Sequence, residues 1–181
     1  PVAQTFSPTS GYSRFPRIPN TEKSSTSVSL PSVQNFPDGE ASIQLKAEVQ
    51  FLNNKKKPAG FTEFFLVRDG LDSIMNKARI RVPANEDINS PAEYWARAVQ
   101  RGYRFPGVAA SIRNALASSS LTRIKTNSMG VANVANLTSG NYFIVGTSSL
   151  GQVGVVWSKQ VSLSQGENQV SLDLRDAIWA Q

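Results

Sequence analysis

Residues 126–146, TNSMGVANVANLTSGNYFIVG, restrict the fold more than any other part of this chain. Asn127, Ser128 and Gly130 are turn formers, and Gly130 tolerates a positive φ that a Cβ would oppose. Val131, Asn133 and Ala135 alternate with Ala132, Val134 and Asn136, the period of a strand. Leu137 opens a second turn, Thr138-Ser139-Gly140-Asn141. Tyr142-Phe143-Ile144-Val145 follows, aromatic and β-branched, and Gly146 is expected to close that run. The local reading is strand, turn, strand, with glycine where the backbone must bend.

Thr126, Gly130, Ala132, Val134, Leu137, Gly140, Tyr142 and Val145 together resemble the signature T-x-x-x-G-x-A-x-V/F-x-x-L-x-x-G-x-Y of carboxypeptidase-regulatory-like domains. These domains group with the transthyretin-like (prealbumin-like) and collagen-adhesin B-type sandwiches. The resemblance implies that Leu137 enters a core, Gly140 makes a turn and Tyr142 starts a central strand. Asn127 stands where that family usually has Asp, and Ser139 where it usually has Pro. The resemblance implies a fold and almost nothing about function, because such sandwiches are attached to many unrelated proteins.

The rest of the chain is read outward from this stretch. Ile43, Leu45, Ala47, Val49 and Phe51 alternate with Gln44, Lys46, Glu48 and Gln50, which predicts a half-buried strand. A polar turn at Asn53–Pro58 leads to a second strand over Gly60–Val67, and the two resemble the family's first hairpin. The three lysines 55–57 read as a solvated turn. Leu71, Ile74, Met75 and Ala78 have helical spacing. Ser90-Pro91-Ala92-Glu93 is a capping-box start with proline at the first helical position, predicting a helix to about Gly102. Glu93, Arg97 and Arg101 fall on one stripe of it. Pro106-Gly107 reads as a break before a third helix through Val108, Ile112, Ala115 and Leu116. Short strands are predicted at 121–126, 153–157, 161–163 and 170–174. The last hairpin, from Trp157 to Leu172, again resembles the family. Residues 176–181 read as a tail with Trp179 docked.

The predicted architecture is therefore mainly β with a helical insertion: an antiparallel transthyretin-like β-sandwich over 41–181, interrupted by helices at about 69–119, plus an extended polar arm over 1–40. The arm holds six prolines (Pro1, Pro8, Pro16, Pro19, Pro31, Pro37) and little apolar periodicity, so it lacks the means to build a core of its own. Val28, Leu30 and Val33 could add a strand to an exposed sheet edge.

The chain has no His and no Cys. That removes serine–histidine hydrolysis, cysteine nucleophiles, thiolate and imidazole metal sites and disulfides. Glu48 with Glu63, and Asp173 with Asp176, are the available carboxylate pairs, and neither pattern suggests a cleft with raised acidity constants. Asp69, Asp72, Glu86 and Asp87 are thin material for calcium. No enzyme activity, cofactor or metal is expected.

Net charge is +6, concentrated in mid-chain, where Arg97, Arg101, Arg104, Arg113, Arg123 and Lys125 face the single acid Glu93 between 93 and 125. The expected role is a non-catalytic accessory or structural subunit that docks with other protein subunits. Phe6, Tyr12, Arg14, Phe15, Arg17 and Ile18 of the arm, and Arg97, Arg101 and Arg104 of the insertion, are the expected partner-binding residues. The runner-up is a cell-surface carbohydrate- or ligand-binding module. A third reading is docking of the basic patch to a membrane complex or, less favoured, nucleic acid. A start at Pro1 fits either a mature exported protein or a trimmed chain. An extracytoplasmic location, periplasmic or cell-surface, is the expectation that goes with the first.

Overall fold

A computed structural model describes residues 40–51, 55–84, 87–100, 106–150 and 153–180. The chain divides into two units, 1–30 and 31–181, and every described residue belongs to the second. Its elements in order are β1 (Ala41–Gln50), β2 (Lys56–Pro58), β3 (Glu63–Val67), α1 (Leu71–Lys77), α2 (Pro91–Val99), α3 (Pro106–Ser119), β4 (Ser120–Lys125), β5 (Val131–Leu137), β6 (Gly140–Leu150), β7 (Val153–Leu163), β8 (Gly166–Leu172), a 3₁₀ turn (Leu174–Asp176) and β9 (Ala177–Ala180).

The strands form two sheets. One is built on β1, which pairs in parallel with β8 and antiparallel with β5 and β2. Ala47 shows how two strands share one edge of β1. Its N–H donates to the Gly130 carbonyl (2.8 Å) and its carbonyl accepts from the Ala59 N–H (3.0 Å). Both groups of one strand residue point to the same side, so β5 and β2 take successive lengths of that edge. The other sheet is antiparallel, in the order β4-β3-β6-β7-β9.

Alternation in β1 does what its sequence predicts: Ala41, Ile43, Leu45, Ala47 and Val49 are buried, and the residues between them are not. They meet Phe64, Leu66, Ile144, Val155 and Trp157 of the second sheet in one core. Trp157 is fully buried in it, with the Phe64 ring centroid 5.7 Å away and its indole N–H donating to the Asp173 carbonyl at 2.9 Å. The second sheet also buries its other face. Phe65, Val67, Val145 and Val156 pack against Ile74, Met75, Trp95, Ile112 and Leu116 of the three helices. The result is three layers: sheet, sheet, helices. A strand buried on both faces reads as a continuous apolar run, which is why Phe64–Val67 does not alternate.

The stretch 126–146 is the corner that ties the sheets together. The buried Thr126 hydroxyl accepts from the Thr62 N–H (2.9 Å) and donates to the Ala59 carbonyl (2.6 Å). Asn127 Oδ1 accepts from the backbone of Met129 (2.9 Å) and Val131 (3.0 Å), so an amide oxygen performs the acceptor role a carboxylate would. Gly130 has φ +74, and a Cβ there would collide with the Ala47 carbonyl. The Tyr142 hydroxyl donates to the Thr138 carbonyl four residues upstream, at 2.8 Å.

Several expectations are corrected. The strand after β1 in space is the short β2, and β3 crosses to the other sheet, because its second apolar face needs the helices. Gly146 lies inside β6 and does not end it; the Phe64 ring covers the space its side chain would fill. The segments 153–157 and 161–163 are one strand, β7, whose ladder with β6 is continuous from Val153 to Leu163. The polar Ser158-Lys159-Gln160 does not break it, because ladder bonds are made by backbone. β7 and β8 lie in different sheets and form no hairpin. Pro106 starts α3 instead of breaking the chain, the position where a missing N–H is harmless. α2 ends at Val99, short of Gly102, and Ala78 caps α1 in the open. Residues 177–180 are an edge strand, with Trp179 49% exposed and not docked.

Candidate functional site

The helical layer does not cover its sheet evenly. At the end where β3 begins and β6 approaches Leu150, α2 and α3 leave a groove of about 600 Å³. Its floor is apolar, formed by Phe65, Trp95, Val99 and Ala109; its rim carries Phe61, Glu63, Arg113, Thr147 and Ser148.

Each rim residue is held for a visible reason. Phe61 sits in the turn between β2 and β3 at φ +54, a conformation that costs a bulky residue of order 1–3 kcal/mol. Its N–H donates to the Asn127 carbonyl (3.2 Å), and Thr126 anchors the next residue, so the surroundings impose the conformation. The ring is 71% exposed, so burial of apolar surface does not repay that strain. Glu63 opens β3 and points back across the groove mouth. Its Oε2 accepts from Arg113 Nε (2.9 Å) and Nη2 (2.6 Å), and Arg123 Nη1 lies 3.9 Å from Oε1. Thr62 and Ser148 hydroxyls are 3.3 Å apart, and the Thr147 hydroxyl donates to the Val155 carbonyl at 2.9 Å. The groove therefore offers an aromatic face, a charged pair with spare acceptor and donor positions, and hydroxyls, over an apolar floor.

A second groove of about 660 Å³ lies by the end of β1, lined by Glu48, Gln50, Phe51, Lys56, Ser171, Asp173, Leu174 and Arg175. Its charges are paired among themselves: Glu48 with Lys46 (3.2 Å) and Lys56 (3.3 Å), Asp173 with Arg175 (2.6 Å). Bonds from Lys46 and Lys56 hold the Glu48 carboxyl below its ordinary value, and those from Arg175 do the same for Asp173. Its one aromatic lining residue, Phe51, is half-buried against the core.

The carboxylate pairs read from the sequence resolve as follows. Glu48 and Glu63 lie on different sheets. Asp173 and Asp176 are brought together, but as the cap of the 3₁₀ turn, and Asp176 is bound to Lys159 at 2.9 Å. Asp69 pairs with Lys77 at 2.6 Å. Among the described residues no three acidic side chains gather as a metal would require.

Of the expected partner-binding residues, Arg97 is described. It binds Glu93 Oε1 at 2.6 Å and the Asp87 carbonyl at 3.3 Å, fastening α2 to the segment before it. Glu93 in turn accepts from the Asn89 N–H (2.9 Å) while Ser90 caps the Glu93 N–H (3.1 Å), so half of the predicted capping box forms as drawn and the other half moves one residue back. Arg101, Arg104, Phe6, Tyr12, Arg14, Phe15, Arg17 and Ile18 lie outside the described residues. Arg113 is legible in the sequence as part of the basic patch and Glu63 as one of a carboxylate pair; their pairing with each other, and the ring of Phe61 beside them, are not. Glu63 and Arg113 are fifty positions apart.

No family model matches the chain, and no curated protein matches it. Solved structures do. One is a Pseudomonas aeruginosa protein assigned provisionally to carbohydrate binding: 14% identity, TM-score 0.43, covering 78% of this chain and 99% of that one. Another is a minor pilin of Streptococcus agalactiae: 12% identity, TM-score 0.36, covering 74% of this chain and 43% of the pilin. The carboxypeptidase-regulatory-like resemblance of residues 126–145 is thus not matched at family level. What stands is a mainly β, sandwich-like fold of two sheets with three helices inserted.

Proposed function

We propose that this chain is a non-catalytic recognition module whose groove between the helical layer and β3 takes a saccharide unit. The observation that carries the reading is Phe61, a strained and exposed ring standing beside the Glu63–Arg113 pair at the mouth of the groove. A sugar ring has an apolar C–H face that packs on an aromatic side chain, and hydroxyls that each donate and accept. Glu63 supplies acceptors, Arg113 donors, and Ser148 either. The volume lies within the roughly 300–1,000 Å³ of ordinary ligand sites. Hydrolysis of a glycosidic bond needs two carboxylates flanking it. The groove lining has one, Glu63, and two nitrogens of Arg113 already occupy one of its oxygens. The reading goes with an extracytoplasmic setting, where saccharides are displayed.

Titration calorimetry of the full chain against a panel of neutral and acidic oligosaccharides tests it. At least one is expected to bind, and Phe61→Ala to weaken that binding about tenfold, the loss of one good aromatic contact. A panel without binders, or binding indifferent to both Phe61→Ala and Arg113→Ala, removes the proposal. The expected role as a subunit of a larger assembly rests on other residues, and one exposed edge strand favours it.

A further inference from the structure

The five-stranded sheet ends in β4 on one side and β9 on the other, and the two edges are finished differently. β4 exposes Arg123 and Lys125, and with Arg113 these face the single acid Glu63. Leu121 is exposed on β4 as well, but outward cations of this kind discourage a second strand from adding. β9 is Ala-Ile-Trp-Ala, without charge or proline. It is paired on one side with β7 and, among the described residues, with no strand on the other. Ile178 is 43% and Trp179 49% exposed. Its open backbone groups and bare apolar side chains are the pattern that adds a strand.

We propose that β9 pairs antiparallel with β9 of a second copy of this chain, joining two five-stranded sheets into one. Charge selects the occupant. The chain carries a net +6, so two copies repel one another overall. Among the described residues around β9 the charges cancel in pairs: Lys159 with Asp176 (2.9 Å), Arg175 with Asp173 (2.6 Å) and Arg97 with Glu93 (2.6 Å). Among the described residues a highly charged partner finds no unpaired charge there to complement, whereas a copy meets an edge as neutral as its own. The geometry is self-consistent. Ile178 lies opposite Val156, whose side chain faces the helices, and Trp179 opposite Val155, whose side chain faces the other sheet. A two-fold axis normal to the sheet keeps each face with its like. Ile178 side chains then cluster on the helical side and the two indoles on the other, the self-complementarity an isologous contact requires.

Sedimentation velocity of the full chain across micromolar to millimolar concentrations tests this. Dimer is expected to grow with concentration. Ile178→Lys or Trp179→Lys should weaken it about tenfold or more, because like charges then meet across the axis. Mixing Ile178→Lys with Ile178→Glu should restore it, a result that a merely unfolded variant could not give. Leu121→Lys, on the opposite edge, should leave it unchanged. A chain that stays monomeric throughout overturns the proposal. So does a dimer that both β9 variants leave intact, or that Leu121→Lys dissociates, or a mixture that remains monomeric.

Discussion

The two faces of the five-stranded sheet are both buried, yet they are closed in different ways. The face toward β1 meets another sheet. Side chains from both sheets meet in one core that includes the fully buried Trp157 and Phe64, their ring centroids 5.7 Å apart. The face toward the helices meets three short cylinders. They seal the middle of the sheet with Trp95, Ile112 and Leu116 but fall short at one end, and the groove is what remains. The difference teaches where such a fold has room for recognition. Sheet-on-sheet packing holds a nearly fixed spacing of about 10 Å, and the second groove lies beside it, at the end of β1. A helical layer can be shortened or tilted without disturbing the sheet beneath it.

The largest expected effect tests the closed face. Trp157→Ala should cost about 3–5 kcal/mol, and it also leaves the Asp173 carbonyl without its 2.9 Å donor. Trp95→Ala removes as large a side chain from the helical face. It should cost less than Trp157→Ala, since the space it opens joins the groove and can take water. Urea denaturation of both variants gives the order, and a larger loss for Trp95 would break the distinction between the faces.

Acid should act more weakly, and on the outer layers first. Hydrogen bonds from the Asn89 backbone, and the Arg97 guanidinium, hold the Glu93 carboxyl below its ordinary value; bonds from Lys46 and Lys56 do so for Glu48. Groups depressed in the folded state give stability that is fully present above the unfolded value and lost as pH falls through the folded one. Stability should therefore hold from neutrality down to about 4.5, the ordinary glutamate value, and decline below it. Glu93→Gln should flatten that decline in a denaturation series at successive pH values. An unchanged slope would show that the N-terminus of α2 contributes nothing to it.

The closed face was the legible one. Alternation in β1 and the run from Thr126 to Tyr142 specify their own burial, because a strand with one wet face must repeat every second residue. The helices were legible from Ser90-Pro91 and from the spacing of Ile112 and Leu116. What the sequence hid has physical causes. β3 is apolar on both faces, so periodicity could not say which sheet it joins. β9 has only two large apolar residues, and its strand character comes from the ladder β7 offers. The groove depends on a backbone angle at Phe61 and on an ion pair between residues fifty positions apart, and neither leaves a local pattern.

Phe61→Gly measures the central claim most directly, because it separates recognition from folding. Glycine adopts φ +54 without strain, so relief should offset its added chain entropy. The account predicts denaturation stability equal to the parent chain or higher by up to about 1 kcal/mol, together with loss of saccharide binding. A variant that is clearly less stable, or one that binds as the parent does, would mean that the exposed ring serves the fold and not a ligand.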